Sequence, residues 1–518
     1  MNEQFNLSDY YLFDRIEEGL SEKTAIRFGE RTWSYGQIAE KSVAVGQLLI
    51  NAGLVPGQRV YVVLPDCPPF AWAFFGALKA GAVVAMGNPI SPTSMLVDVI
   101  DYVSPKTIIT TQTVYNDIKA LRPDLESIHA LVVCDMDTDS CPEQLIEGED
   151  CLVRQLKQPQ TQHDWPPSYL DSPAIWLFTS GSTGRAKAAM HCHRDFQFNT
   201  EVYAKQTIQY QADDTCVSVP RLFFGYATGT NLMFPFAVGA TVGLFVEKPT
   251  PERIAWAVEY YNATMLTNVP TLMARLLDLP SEQTQGLHRL RFCLSAGEAL
   301  PPALLKRWQS RFDTPVYDGI GSAEMFHIYL TNRPDDIKPG SLGRPVSGYT
   351  LRVLAADAEG PGAPEVAPGE TGVLWVKGDS VSTGYWLDRQ KSWQTFFGHW
   401  CRTGDLFSVD EDGYYWFKGR ADHLLKISGQ WVSPIEVEHC INEHPSVLEV
   451  AVIPIDVAGL MKTRACIALR PTSHALSAEL VKGWVAARIA KYKTPYEVKF
   501  YQSLPKNDRG KIDKGKLS

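Results

Sequence analysis

From Arg59 onward short apolar strands alternate with helices, and this alternation limits the fold more than any other feature. RVYVVLPD reads as a strand, FAWAFFGALKAG as a helix and AVVAMGNP as a strand. SMLVDVIDYVSP (helix), KTIITT (strand), YNDIKALR (helix) and HALVVCD (strand) follow. Parallel neighbours need a helix-length crossover, so the pattern predicts a parallel sheet covered on both faces. A second run has the same build: DTCVSVP, ATMLTNVP, RFCLSAGEALP and PVYDGIGSAEM as strands, ERIAWAVEYYN and PALLKRWQSRF as helices. The last two strands each run into a turn. A chain of 518 residues is too long for one core.

The texture changes from Gly340 to short strands and Gly-rich turns, with Asp412-Gly413 predicting a two-residue hairpin turn. After Arg420 comes a small α+β unit with helices PIEVEHCINEH and AELVKGWVAARIAKY and strands LEVAVIPID and RACIALRP. The expected class is α/β. Residues 1–420 form a large N-terminal domain of two doubly wound sheets plus a small β-barrel-like subdomain, and 421–518 a small α+β C-terminal domain. Residues 1 to about 30 read as a loose entry with one helix near Tyr10 to Glu18.

Composition removes several functions. A net charge of −9 argues against a nucleic-acid surface. Ten cysteines without a C-x-x-C pair predict neither a zinc site nor a disulfide framework, and a reducing cytoplasm fits. The start, MNEQFNLSDYY, lacks the apolar core of a signal peptide. Phe70 to Met86 is interrupted by Lys79 and glycines, so it predicts a buried helix and a strand, not a membrane span. His191-Cys192-His193 stands where a helix should begin; alternate residues on a helix do not face each other, so no metal cluster is expected.

The chemistry centres on WLFTSGSTGRAKAAMH, Trp176 to His191. Trp176, Leu177 and Phe178 read as a buried strand. Thr179, Ser180, Gly181, Ser182, Thr183 and Gly184 supply hydroxyls and a backbone that a ligand can approach closely. Successive N–H groups in such a turn converge on an anion, and Lys187 adds a mobile charge. A polyphosphate is the expected ligand. Lys187 is neither preceded by Gly nor followed by Ser or Thr, so the loop is not a Walker A sequence.

The loop resembles the phosphate loop of the adenylate-forming superfamily of acyl-CoA synthetases, with Ala186 and Ala188 where that family has Pro and Gly. SAGEALP, DGIGSAE, GDSVSTGYW, CRTGDL and KNDRGKID resemble its later motifs, in order. The resemblance implies that Ala296, Gly297 and Glu298 wall an adenine. Asp318, Gly319, Ile320 and Ser322 would line adenine and phosphates. Glu324 would hold Mg²⁺, whose preferred ligands are carboxylate and phosphate oxygens. Ala323 stands where the family has Thr. Asp405 would take the ribose hydroxyls with Arg420 in support, and Lys511 would be the catalytic lysine of the tail. GDSVSTGYW is taken as a structural signature.

RLFFGYATG and GIGSAEMFHIYLTNRP further resemble benzoate–CoA ligases and related aryl-CoA ligases. By that match Gly225, Tyr226, Ala296, Gly321, His327 and Ile328 form an aryl-acid pocket, and Gly225 leaves room for an ortho group such as the amine of anthranilate. His327 would donate to the carboxylate or to a ring substituent; its alternative is a structural histidine. The implied reaction is ATP-dependent: an aryl-adenylate forms with loss of pyrophosphate, then CoA thiolate displaces AMP. A mobile C-terminal domain would turn about Asp422, bringing Lys426, Ser428, Gly429 and Trp431 to the CoA. ATP, Mg²⁺ and CoA are the implied cofactors and co-substrates, and the protein would be a monomer or homodimer. Alternatives are an aryl-adenylating enzyme that loads a free carrier protein, and a non-catalytic nucleotide-binding relative.

Overall fold

The computed structural model describes residues 4–123, 128–133, 149–152, 156, 163–180, 186–421, 425–427, 430–457, 460–470, 476–506 and 512–517. Two large sheets dominate. The first runs in the order Glu149–Cys151, His129–Val133, Thr107–Thr111, Arg59–Val63, Val83–Met86, Pro173–Ser180, Ala186–Cys192. All its pairs are parallel except the last, a hairpin. The second runs Arg344–Pro345, Ile328–Thr331, Val316–Gly321, Phe292–Ser295, Met265–Asn268, Thr215–Ser218, Thr241–Leu244, Thr24–Phe28, Arg31–Ser34. It is parallel through the middle and antiparallel at both edges.

Both sheets share one large core. The helix Pro68–Lys79 is buried from Pro68 to Leu78, which is why it is apolar all round. Trp72, Phe70, Phe74 and Phe75 are among its fully buried side chains, each worth roughly 1.5–3 kcal/mol. Among the described residues no helix is long and apolar enough to cross a membrane.

The N-terminal region departs from expectation. The helix near Tyr10 is present, as Asp9–Phe13 continuing into Asp14–Glu17. The supposedly loose entry then supplies an edge of the second sheet, with Ile26 opposite Val242. The helix Tyr35–Asn51 follows. Ser34 Oγ accepts from Gln37 N at 3.2 Å, and the Gln37 side chain accepts from Ser34 N at 2.9 Å. This capping box is worth about 1 kcal/mol.

The helix expected at His191 starts at His193 instead, because Ala186–Cys192 is a strand paired with Pro173–Ser180. At Asp412-Gly413 the connection is longer than two residues: the flanking strands end at Val409 and resume at Tyr415. Asp410 Oδ1 accepts from Asp412 N at 3.1 Å and from Tyr414 N at 2.9 Å, and this side-chain turn prevails over the Asp-Gly preference.

A five-stranded antiparallel sheet follows, containing Thr350–Leu354, Gly372–Lys377, Phe396–Phe397, Trp400–Val409 and Tyr415–Arg420. The C-terminal unit pairs Val447–Val457 with Leu460–Leu469. It adds an unexpected parallel strand, Glu497–Tyr501. The helices Pro434–Asn442 and Ala478–Ala486 close its own apolar cluster.

Candidate active site

A cleft of about 2490 Å³ gathers the ends of several strands. Thr179 and Lys187 face each other across the hairpin formed by Pro173–Ser180 and Ala186–Cys192. Gly181, Ser182, Thr183 and Gly184 lie outside the described residues, as do Asp422, Ser428, Gly429 and Lys511. The strands Leu425–Ile427 and Gln430–Val432 form a hairpin with Lys426 opposite Trp431. Ile512 and Lys514, from the tail, line the same cleft as Lys187 and Glu324.

The GDSVSTGYW stretch is more than scaffolding. It lies along the free side of the Ala186–Cys192 strand. Thr383 N donates to Met190 O at 3.0 Å, Met190 N to Gly384 O at 2.9 Å, and Trp386 N to Ala188 O at 3.0 Å. This pairing holds the Tyr385 hydroxyl 2.6 Å from Glu324 Oε1, donating to it. The Lys187 ammonium lies 6.0 Å from the Tyr385 ring centroid. Burial together with the facing Glu324 charge raises the Tyr385 phenol pKa, so it stays a donor. Tyr385 and Glu324 lie far apart in sequence, which hides this contact from a linear reading.

Each histidine beside the loop is spoken for. His191 Nδ1 meets Asp195 Oδ2 at 2.7 Å, and Nε2 meets the Ala323 carbonyl at 2.6 Å. His191 therefore positions the turn that presents Glu324. His193 Nδ1 accepts from Leu7 N at 3.1 Å, and burial lowers its pKa to about 4. Burial also pushes the Cys192 thiol up to about 12. Among the described residues no His/Cys/Asp/Glu group suits a metal cluster.

Asp318 lies within the strand Val316–Gly321 and lines the cleft. It is buried, and burial pushes its carboxyl up to about 8. Ser295, in register on the next strand, tempers that rise without a well-formed hydrogen bond. Asp318 Oδ1 and Ser322 Oγ are buried and have no partner among the described residues. Such orphan groups are costly unless something pairs with them, and a nucleotide offers donors and acceptors for both. Glu324 adds a half-buried carboxylate facing the same space. These residues fit a bound Mg-nucleotide.

Gly319, Ile320 and Gly321 line the cleft with Asp318. Gly297 turns with φ of 85°, and Ala296 beside it is buried. Glu298 Oε2 is engaged, accepting from Thr271 N at 3.0 Å and Thr271 Oγ1 at 2.8 Å. Asp405 and Arg420 are opposite each other in register, and Arg420 Nη1 reaches Asp405 Oδ1 at 3.2 Å.

Of the six residues read as the acid pocket, only Gly321 lines this cleft. Ala296, His327 and Ile328 are buried, and Gly225 and Tyr226 half-buried. A Cβ on Gly321 would sit 2.4 Å from the His327 carbonyl oxygen, so that glycine is required by backbone packing, not left open for a ring. A Cβ on Gly225 would sit 3.4 Å from the Leu177 methyls, an ordinary contact with little space beyond. Leu177, read only as core, is thus the neighbour that limits size there.

His327 packs among Tyr203, Tyr226 and Phe234, with ring centroids 5.3, 5.4 and 4.7 Å away. Its Nε2 lies 3.0 Å from the Tyr226 carbonyl oxygen, which can only accept. Nε2 therefore carries the proton. Burial drives the ring's pKa down to about 3, so it is neutral. Nδ1 is then a bare acceptor, buried and unpartnered among the described residues. This corrects the expectation that His327 donates to the substrate: its one proton is already spent on Tyr226.

Residues 13–386 match the AMP-binding enzyme family and 436–511 its C-terminal domain. The chain is 35% identical to benzoate–CoA ligase of Thauera aromatica, covering 99% of this chain and 96% of that one. It is 32% identical to anthranilate–CoA ligase of Pseudomonas aeruginosa, covering 90% and 87%. The crystal structure of the anthranilate CoA ligase AuaEII in complex with anthranoyl-AMP superposes with a TM-score of 0.91 at 32% identity, covering 100% and 97%. The chain belongs to the AMP-binding enzyme family.

Proposed function

We infer that this enzyme is an AMP-forming aryl-CoA ligase whose acid is a single-ring benzoate with a small hydrogen-bond donor on the ring, as in anthranilate. Full-length likeness to benzoate–CoA and anthranilate–CoA ligases supports the class. The observation that carries the finer reading is the bare Nδ1 of His327, a buried acceptor among aromatic rings. An ortho amine or hydroxyl would satisfy it; a methyl group would leave it unpaired.

The acid's carboxylate oxygen attacks the α-phosphorus of ATP, and pyrophosphate leaves. Lys187 and the loop N–H groups stabilise the charge that builds on the phosphoryl oxygens, with Lys511 bridging carboxylate and α-phosphate. Glu324 would hold Mg²⁺, which neutralises phosphate charge, and Tyr385 fixes the orientation of that carboxylate. CoA thiolate then attacks the acyl carbon and AMP departs. We place the domain boundary between residues 420 and 421, the hinge at Asp422, and the CoA arm against Lys426, Ser428, Gly429 and Trp431. A cytoplasmic location goes with this reading.

A pyrophosphate-release screen tests it. Anthranilate and 2-hydroxybenzoate should exceed 2-methylbenzoate by at least about tenfold in kcat/KM, since a site built around a hydrogen bond rejects an analogue lacking it. Equal rates for the three acids would refute the role given to His327.

A further inference from the structure

The helix Pro270–Leu276 meets Glu298 at one end and the C-terminal unit at the other. Its first turn is held by Glu298 through Thr271. Its other end carries Arg275 and, just beyond it, Asp278. Arg275 Nη2 lies 3.3 Å from Glu449 Oε1, on the strand Val447–Val457. Asp278 Oδ1 lies 3.5 Å from Arg470 Nη1 and 3.5 Å from Arg307 Nη2. Glu449 and Arg470 come from the C-terminal unit, and the other three from the large one. These two cross-unit ion pairs thus land on the C-terminal end of this helix and the residues just after it.

Glu449 is not an ordinary surface acid. Its side chain is 8% exposed, and Oε2 is buried without a partner among the described residues. Oε1 is shared with Lys506 at 2.8 Å. A carboxylate so desolvated is penalised when a cation withdraws. The orientation these pairs hold is the one in which Ile512 and Lys514, on the tail that carries Lys511, share the cleft with Lys187 and Glu324. It also superposes end to end on a relative bound to an acyl-adenylate.

We propose that Arg275 and Asp278 are positioning residues: they latch the C-terminal unit with its tail toward the nucleotide and so set the balance between adenylation and thioester formation. Glu298 ties that latch to the loop beside the nucleotide. The proposal rests on the ligase reading.

Arg275 and Asp278 are 41% and 45% exposed, so Arg275→Gln, Asp278→Asn and the double variant should fold. Two half-reactions are measured on the full chain: pyrophosphate release from ATP and anthranilate, and thioester formation from supplied anthraniloyl-adenylate and CoA. Adenylation should fall about three- to tenfold in the double variant, while thioester formation holds or rises. Added salt should slow wild-type adenylation more than that of the double variant. Arg275→Lys should recover most of the Arg275→Gln loss. Equal loss in both half-reactions, or an unmoved ratio, overturns the latch. If the wild-type protein releases no pyrophosphate with any aryl acid, the ligase reading falls instead.

Discussion

The two sides of this site, to which the proposed reaction assigns the nucleotide and the acid, are built by opposite means. On the nucleotide side, charged groups are aimed by direct bonds. Tyr385 donates to Glu324, His191 holds the turn beneath it, and Arg420 meets Asp405. On the acid side charge is kept out. His327 is neutral, its neighbours are rings, and Gly321 is a glycine because backbone fills the space where a side chain would go. The first side should tolerate small changes of shape and fail on loss of charge. The second should do the reverse.

The strongest way to break this contrast is Lys511→Ala. It should lower pyrophosphate release by about 10²–10³ and spare thioester formation from a supplied adenylate. The proper silent control is Lys516→Ala, at 65% exposure. Lys514 is unsuitable, although its sequence context resembles that of Lys516. Its ammonium sits 2.6 Å from Glu438, a carboxylate whose pKa burial already raises, so its loss would disturb the fold. Equal damage to both half-reactions by Lys511→Ala would refute the role of the tail.

Gly225→Leu tests the acid side by shape alone. Overpacking against Leu177 should cost about 1–3 kcal/mol in kcat/KM for anthranilate, with the KM for ATP unchanged. A matching rise in the ATP KM would mean that the two sides are not separate.

Tyr385→Phe removes one aimed donor and keeps the ring. Adenylation should slow about tenfold, and raising the magnesium concentration should recover part of the loss. Full activity at low magnesium would show that Glu324 needs no such help.

A separate test concerns stability and not rate. Asp318 has a carboxyl pKa raised by burial to about 8, from an ordinary value of 3.8. The folded state therefore binds the proton more tightly than the unfolded state. The resulting stabilisation is complete below the unfolded pKa and disappears as pH rises through about 8. Denaturant melts of Asp318→Asn should show a shallower decline between pH 4 and 8 than wild type. Parallel curves would mean that Asp318 is paired in the folded protein.

Much of this was legible in the linear chain because it is local. Strand and helix alternation is a property of neighbouring residues, and so are the motifs that mark the chain as a member of its family. Alternation predicts parallel pairing whatever lies elsewhere. The early hairpin was not legible, since Thr24–Phe28 becomes a strand by pairing with Thr241–Leu244 far along the chain. The strand after the loop was missed for a related reason. Ala186–Cys192 is locally indifferent between helix and strand, and Pro173–Ser180 on one side and Thr383 to Trp386 on the other settle it.

The sequence by itself determined which chemical groups this protein owns and roughly which element carries each. Only the tertiary structure decided what those groups are able to do. Tyr385 became a donor to Glu324 because a third segment lies along the strand that carries Lys187. His327 became an acceptor because the fold spends its one proton on the Tyr226 carbonyl and buries the ring beyond reach of a second. Protonation and hydrogen-bond direction depend on burial and on partners brought together from distant parts of the chain.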